Sequence, residues 1–200
     1  MTKTQAEPRL APPGAGLPVH EWLVAKYIIF PRLFKTTSKE EALSRFADQS
    51  EKLLAIARAQ APEDLVRRQL VKRLQGMEDS SRYWSVAMVL DHLTIVGSNI
   101  QLVVSALSRG KTIDRKASIK EVKPRTDLDP LETIEKFEKM SDRFVSVLKD
   151  IDVDAFPNVK YSHPWFGPLN AHQWLIFAAP HEDIHRRQAL AIVQCNNLDL

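Results

Sequence analysis

The chain of 200 residues has a single cysteine, Cys195, so no disulfide can form within it, which fits a reducing compartment. Its N-terminus, Met1-Thr-Lys-Thr-Gln-Ala-Glu-Pro8, lacks the apolar core of a signal peptide, and we expect no secretory signal. No run reaches the roughly 20 apolar residues that a membrane span requires. These absences lead us to expect a cytoplasmic protein with no membrane partner. No stretch alternates convincingly with period two, which argues against a sheet. Charge of one sign is also scarce, since 28 Lys and Arg against 25 Asp and Glu leave a net charge of +3. The one basic cluster, Arg67, Arg68, Lys72 and Arg73, comes without a helix-turn-helix, zinc-finger or RNA-recognition signature. We read it as a solvated face and do not expect nucleic acid as a partner.

What is present is helical. Residues 1–18 carry Pro8, Pro12, Pro13 and Pro18 with Gly14 and Gly16, and we expect a flexible tail there. Residues 19–37 form an apolar arm, with Trp22, Tyr27, Phe30 and Phe34, in which Pro31 should interrupt any helix. Residues 38–196 read as one domain. Ser38 and Glu41 make a capping box ahead of a helix that carries Leu43, Phe46, Leu53 and Leu54. A second helical segment is expected over Glu63 to Leu74, and a third from about Tyr83 to Gly110, a glycine stop. Asp129 and Pro130 open a fourth, ending near Asp150. The last runs from about Asn170 to Gln194, with Pro180 inside it. Long amphipathic segments joined by loops predict an all-α antiparallel four-helix bundle with an N-terminal arm.

The most informative string is Pro180-His-Glu-Asp-Ile-His185. His181 and His185 stand four apart, so both imidazoles leave one side of a helix at a spacing that can share a divalent metal. The stripe continues through Asn170, Trp174, Ala178, Gln188 and Ile192, while Glu182 and Asp183 point away from its centre. On the third helix, Ser85, Val89, His92, Val96, Asn99 and Val103 form one stripe with a histidine in the middle. His92, His181 and His185 can therefore converge from two helices as a three-imidazole shell with one position open. His20, His163 and His172 read individually as ordinary surface or hydrogen-bonded residues.

His181-Glu-Asp-Ile-His185 also fits the H-E-x-x-H pattern of zinc peptidases. That reading is disfavoured: no histidine or glutamate follows His185 to act as third ligand, and the extended motif would need glycine at Gln188 and histidine at Ala191.

Tyr83-Trp-Ser-Val-Ala-Met-Val-Leu-Asp-His-Leu93, His163-Pro-Trp-Phe-Gly-Pro-Leu-Asn-Ala-His-Gln-Trp-Leu175 and His181-x-x-x-His185-x-x-Gln188 together resemble the DinB-like (DinB/YfiT-type) four-helix-bundle family. The resemblance spans about residues 38–195 and leaves the arm outside it. It implies a metal held by three histidines, here His92, His181 and His185, and relatives that use low-molecular-weight thiols. The function expected is that of a metal-dependent enzyme of hydrolase or thiol-dependent S-transferase type, acting on a small-molecule substrate. Its cofactor would be a divalent metal, zinc or nickel first. Such a metal can polarise a carbonyl, lower the pKa of bound water to about 7, or hold a thiol as thiolate. Gln188, Asn99, Asn170, Trp174 and Glu182 are candidates to line the pocket or to support a ligand. A homodimer is compatible with this reading. The alternative is a non-catalytic protein of the same fold that acts in binding.

Overall fold

The computed structural model describes residues 7–198. Four long helices, α3 (Lys39–Arg58), α5 (Val86–Leu107), α6 (Pro130–Leu148) and α7 (Ala171–Leu198), form a bundle. Before and between them lie the short helices α1 (Val19–Val24), α2 (Phe30–Thr36) and α4 (Pro62–Val66), and two antiparallel ribbons. One ribbon pairs β1 (Gln69–Leu70) with β2 (Tyr83–Trp84), the other β3 (Tyr161–His163) with β4 (Gly167–Leu169).

Each long helix starts where its sequence supplies an acceptor for the free N–H groups of a first turn. Ser38 Oγ accepts from the Glu41 N–H at 3.2 Å, Ser85 Oγ from Met88 at 3.2 Å, and Asp129 Oδ1 from Glu132 at 2.8 Å. Asn170 and Gln173 cap α7 reciprocally, each side chain accepting the other's N–H at 3.0 Å. Gly110, with φ +71°, sits just beyond α5 in a conformation that glycine adopts without strain.

The helices form a ring in which α7 packs on α3 and α5, and α6 packs on the same two; α3 and α5 lie diagonally opposite. Phe46 stacks on Phe144 at 3.9 Å and Arg58 pairs with Glu138, so α3 and α6 run in opposite senses. Ser50 meets Glu182 while Thr37 meets His172, so α3 and α7 run in the same sense. His92 and Trp84 of the β2–α5 segment meet His181 and His185 in reverse order, which makes α5 and α7 antiparallel. It follows that α5 and α6 are parallel, and residues 108–129 must cross back along the bundle to connect them. Gly97 allows the close α5–α6 approach: a Cβ there would lie 2.4 Å from Met140 Sδ.

Two expectations are corrected. The segment from Glu63 to Leu74 is helical only as far as Val66; Arg67 turns extended and residues 69–70 pair with residues 83–84. Of the apolar residues that gave the segment its helical pattern, Leu65, Val66, Leu70 and Leu74, only Leu65 is buried, while Val66 and Leu70 are exposed. Ribbon pairing with a strand distant in sequence outweighs local spacing here. Pro31 does not break the arm: residues 25–29 form a π-helical turn and Pro31 falls in the first turn of α2, where its missing N–H costs little.

The arm is fastened to the bundle. Phe30 is buried against Phe34, Phe166 and Phe177, Trp22 Nε1 donates to the Trp165 carbonyl at 2.8 Å, and buried Glu21 pairs with Arg73. Of the expected tail, residues 1–6 lie outside the described residues. Residues 7–18 form no helix or strand, yet the Ala11 N–H bonds Asp79 at 2.8 Å and the Gly14 N–H bonds Glu78 at 2.6 Å.

By length and composition helix α5 alone among the described helices could cross a membrane, but 67% of that stretch is buried inside the bundle. Its apolar surface is spent on α6 and α7, as in the central helix of any bundle.

Candidate metal centre and its cavity

The antiparallel contact of α5 with α7 places His92 opposite the His181/His185 pair. One nitrogen from each lies within 4.8 Å of the others. His92 Nε2 and His181 Nε2 are 3.4 Å apart. Two metal–nitrogen bonds of about 2.0–2.1 Å at a tetrahedral angle span roughly the same separation. Trp84 packs parallel to the His185 ring at 5.6 Å and Phe177 lies against His181 at 5.8 Å, so both aromatic rings restrict the imidazoles.

The partners of the outer nitrogens fix the tautomers. His92 Nδ1 is 2.6 Å from the Val122 carbonyl, which can only accept, so the proton sits on Nδ1 and Nε2 keeps its lone pair. His185 Nδ1 is 2.7 Å from Gln188 Oε1, and Gln188 Nε2 donates to the Ser81 carbonyl at 2.6 Å. That second bond sets the amide orientation, so Gln188 offers an acceptor and His185 must donate from Nδ1, again leaving Nε2 free. Burial drives all three histidines toward the neutral form: His92 and His181 fall well below the ordinary range, and His185 to about 4. With His92 Nε2 unprotonated, His181 Nε2 either donates to it across the 3.4 Å gap or, in its other tautomer, offers a lone pair beside it to a shared ion. This donor set fits a divalent ion of the zinc or nickel type.

The triad forms part of the wall of a cavity of about 690 Å³. Side chains from α5, the 113–123 crossover, the β3–β4 ribbon and α7 surround it. Lys123 is half-sequestered at its edge, bonded to Glu78, Ser80 and Ser81, with its ammonium 5.3 Å over the Trp84 ring. Burial lowers the Lys123 pKa. Hydrogen bonds from Ser80, Lys123 and the Gly16 N–H outweigh burial and hold the Glu78 carboxyl below its usual range.

The model of the DinB superfamily matches residues 67–189. The chain belongs to the DinB superfamily. No curated protein matches it significantly. Two solved structures are similar to this DinB superfamily chain. One is TT2238, a four-helix bundle protein, at 25% identity and a TM-score of 0.50, covering 77% of this chain and 98% of that one. The other is the colibactin self-resistance protein ClbS, in complex with double-stranded DNA, at 13% identity and a TM-score of 0.54, covering 80% and 96%.

The remaining residues singled out from the sequence separate into two groups. Gln188 lies directly behind His185, and Asn99 and Trp174 line the cavity, Asn99 at an exposed position because the α5 stripe drifts outward toward its C-terminal half. Asn170 is instead the cap of α7, and Glu182 is instead buried between α7 and α3, both its oxygens within 3.1 Å of Ser50 Oγ; neither lines the cavity. Burial pushes the Glu182 carboxyl well above its usual range. The acidic neighbours of the ligands are occupied elsewhere, Asp91 with Arg125 and Asp183 with Arg186 and Arg187.

Sequence reasoning missed Ser81 and Val122, whose backbone carbonyls carry no signal in side-chain identity. It also missed His163, which is 8% exposed, lines the cavity, and has its pKa lowered to about 3 by burial.

Proposed function

We propose that this DinB superfamily protein is a metal-dependent enzyme in which His92, His181 and His185 hold a divalent ion and the adjoining cavity binds a small-molecule substrate. The observation that carries this reading is the convergence of three neutral imidazoles, two of them with their tautomers fixed, on the wall of a largely apolar cavity. An ion held there would supply Lewis-acid polarisation of an oxygen ligand or stabilise the thiolate of a low-molecular-weight thiol. The chain's own residues orient the donors: Val122 and Gln188 hold the rings, while Trp84 and Phe177 keep water from their faces.

Between hydrolase and thiol-dependent S-transferase, the lining favours the second. Hydrolysis is helped by a side chain free to move the proton of water. Among the described residues, both carboxylates lining the cavity are engaged, Glu78 with Lys123 and Glu121 with Arg115. A thiol activated as thiolate makes no such demand.

The test is metal content of tag-free protein, followed by a screen of electrophiles against several low-molecular-weight thiols with the loaded protein. Near-stoichiometric zinc or nickel, lost in both His92→Ala and His185→Ala, together with thiol-dependent turnover, is the expected result. Protein that takes up neither metal would shift the reading to a non-catalytic binding protein. ClbS, bound to double-stranded DNA in its structure, makes DNA the ligand to try in that case. The basic cluster argues against it here, because Arg67, Arg68 and Arg73 are paired with Asp64, Glu7 and Glu21.

A further inference from the structure

A fourth histidine faces the same cavity and is held differently from the other three. His163 ends β3, and its Nδ1 accepts the backbone N–H of Trp165 at 3.1 Å and lies 3.4 Å from that of Phe166. A nitrogen that accepts from backbone amides carries no proton, so the proton is on Nε2. Nε2–H has no hydrogen-bond partner among the described residues, nor is it sealed from solvent-sized access. The ring is packed by Phe166, Trp174 and Phe177, which leaves the cavity it lines as the direction open to this donor. Phe177 touches both His163 and His181, so one aromatic ring separates the donor from the triad, within the span of one small substrate. Ile95, Val96, Val103, Trp165 and Trp174 also line the cavity and offer apolar and aromatic surface.

We propose that His163 is the recognition donor of this cavity, its Nε2–H binding an oxygen acceptor, a carbonyl or oxyanion, on an otherwise apolar, aromatic substrate. The inference rests on reading the cavity as a substrate site and adds the class of molecule that it takes. A fixed donor in apolar surroundings discriminates strongly, because a ligand without an acceptor leaves the N–H unpaired. The ribbon turn gives it a fixed direction, and its tautomer cannot switch without breaking the contact to the Trp165 N–H.

The test uses metal-free protein, so that its outcome is independent of the triad. Two probes of nearly equal shape, 2-acetylnaphthalene and 2-isopropenylnaphthalene, differ in one carbonyl oxygen; their affinities are compared by calorimetry in wild type and in His163→Asn. The asparagine Oδ1 takes the place of Nδ1 as acceptor from residue 165, an Asx-turn arrangement, and so keeps the turn, while its amide N–H groups fall near the position of the ring Cδ2, short of where the Nε2–H of His163 reaches. The ratio of ketone to alkene affinity should fall about five- to tenfold in His163→Asn. Because it is a ratio within one variant, any general loosening of the cavity cancels. An unchanged ratio overturns the assignment of His163, and failure of wild type to bind either naphthalene overturns the assigned substrate class. Metal uptake by the same preparation, measured separately, shows whether the triad reading stands or falls on its own.

Discussion

Substituting Gln188 by leucine isolates what holds the candidate centre in shape. The side chain is fully buried and makes two bonds, accepting from His185 Nδ1 and donating to the Ser81 carbonyl. Leucine has a similar volume, so the packing changes little, but a buried N–H and a buried carbonyl are both orphaned. Each costs about 1–3 kcal/mol, and we expect the metal-free protein to lose about 2–4 kcal/mol of stability once the added apolar contact is allowed for. His185 also loses the partner that fixes its Nδ1–H tautomer, and zinc affinity should fall roughly 10–100-fold, equivalent to about 1.4–2.7 kcal/mol. Gln188→Glu makes the comparison informative. Its carboxylate still accepts from His185 but opposes the Ser81 carbonyl, so stability should drop while zinc affinity holds or rises. Urea unfolding of the metal-free proteins and competition against a chromophoric chelator give the two quantities. If Gln188→Leu binds zinc within about threefold of wild type, the reasoning fails, because Gln188 would then be core packing with no hold on the ligand.

Two further outcomes follow from the buried titrating groups. His185 titrates at about 4 in the folded chain against 6.5 when unfolded, so the unfolded state binds the proton first. In Glu182→Gln, where position 182 does not titrate, these histidines should leave the stability of the metal-free protein unchanged above pH 6.5 and lower it as the pH drops from there to about 4, by about 3 kcal/mol from His185 alone, with His92 and His181 adding in the same direction; urea midpoints of that variant that do not move across the range would contradict this. Glu182 has the opposite sign: its carboxyl is raised by burial, so its contribution is intact below 4.5 and is lost as the pH rises above that. Glu182→Gln should therefore be more favourable to stability at pH 8 than at pH 4.5, and equal effects at both pH values in denaturant melts would refute the assignment.

What could be read from the sequence was local. The caps at Ser38 and Asp129 and the stop at Gly110 are decided by residues within a turn of each other, and the structure has them where the chain implied. The His181/His185 pair and Gln188 share one helical stripe, so their alignment follows from 100° per residue. Convergence with His92 required α5 to face α7, which the inward stripes suggested. The helix expected over Glu63 to Leu74 failed beyond Val66 because pairing between residues 69–70 and 83–84 is long-range and two residues deep, too short to leave a period. Asn170 was misjudged although Asn170-x-x-Gln173 ahead of an apolar run is itself a capping pattern. The Val122 carbonyl reaches His92 from the crossover, and His163 enters through a ribbon turn. The Val122 carbonyl has no sequence signature, since the crossover's path depends on α5 and α6 running parallel, and the string that His163 opens did not show which way its ring faces.

The glutamate at position 182 shows how one short motif can serve two arrangements. A histidine pair four apart with glutamate in between is compatible with a peptidase only if the carboxylate turns toward the ion. Glu182 lies 100° around α7 from His181, and α7 has two neighbours in the bundle. The third imidazole comes from α5, which puts the ion on the α5 side. Ser50 of α3 holds Glu182, which puts the carboxyl on the other side. Since α3 and α5 are diagonal, no small rotation of α7 brings both groups to one point without withdrawing a histidine. The burial that raises the Glu182 carboxyl also favours its protonated form, whereas a general base must be ionised. The third ligand, and with it the chemistry that the two-histidine motif can support, is therefore set by which neighbour α7 faces at His181 and His185.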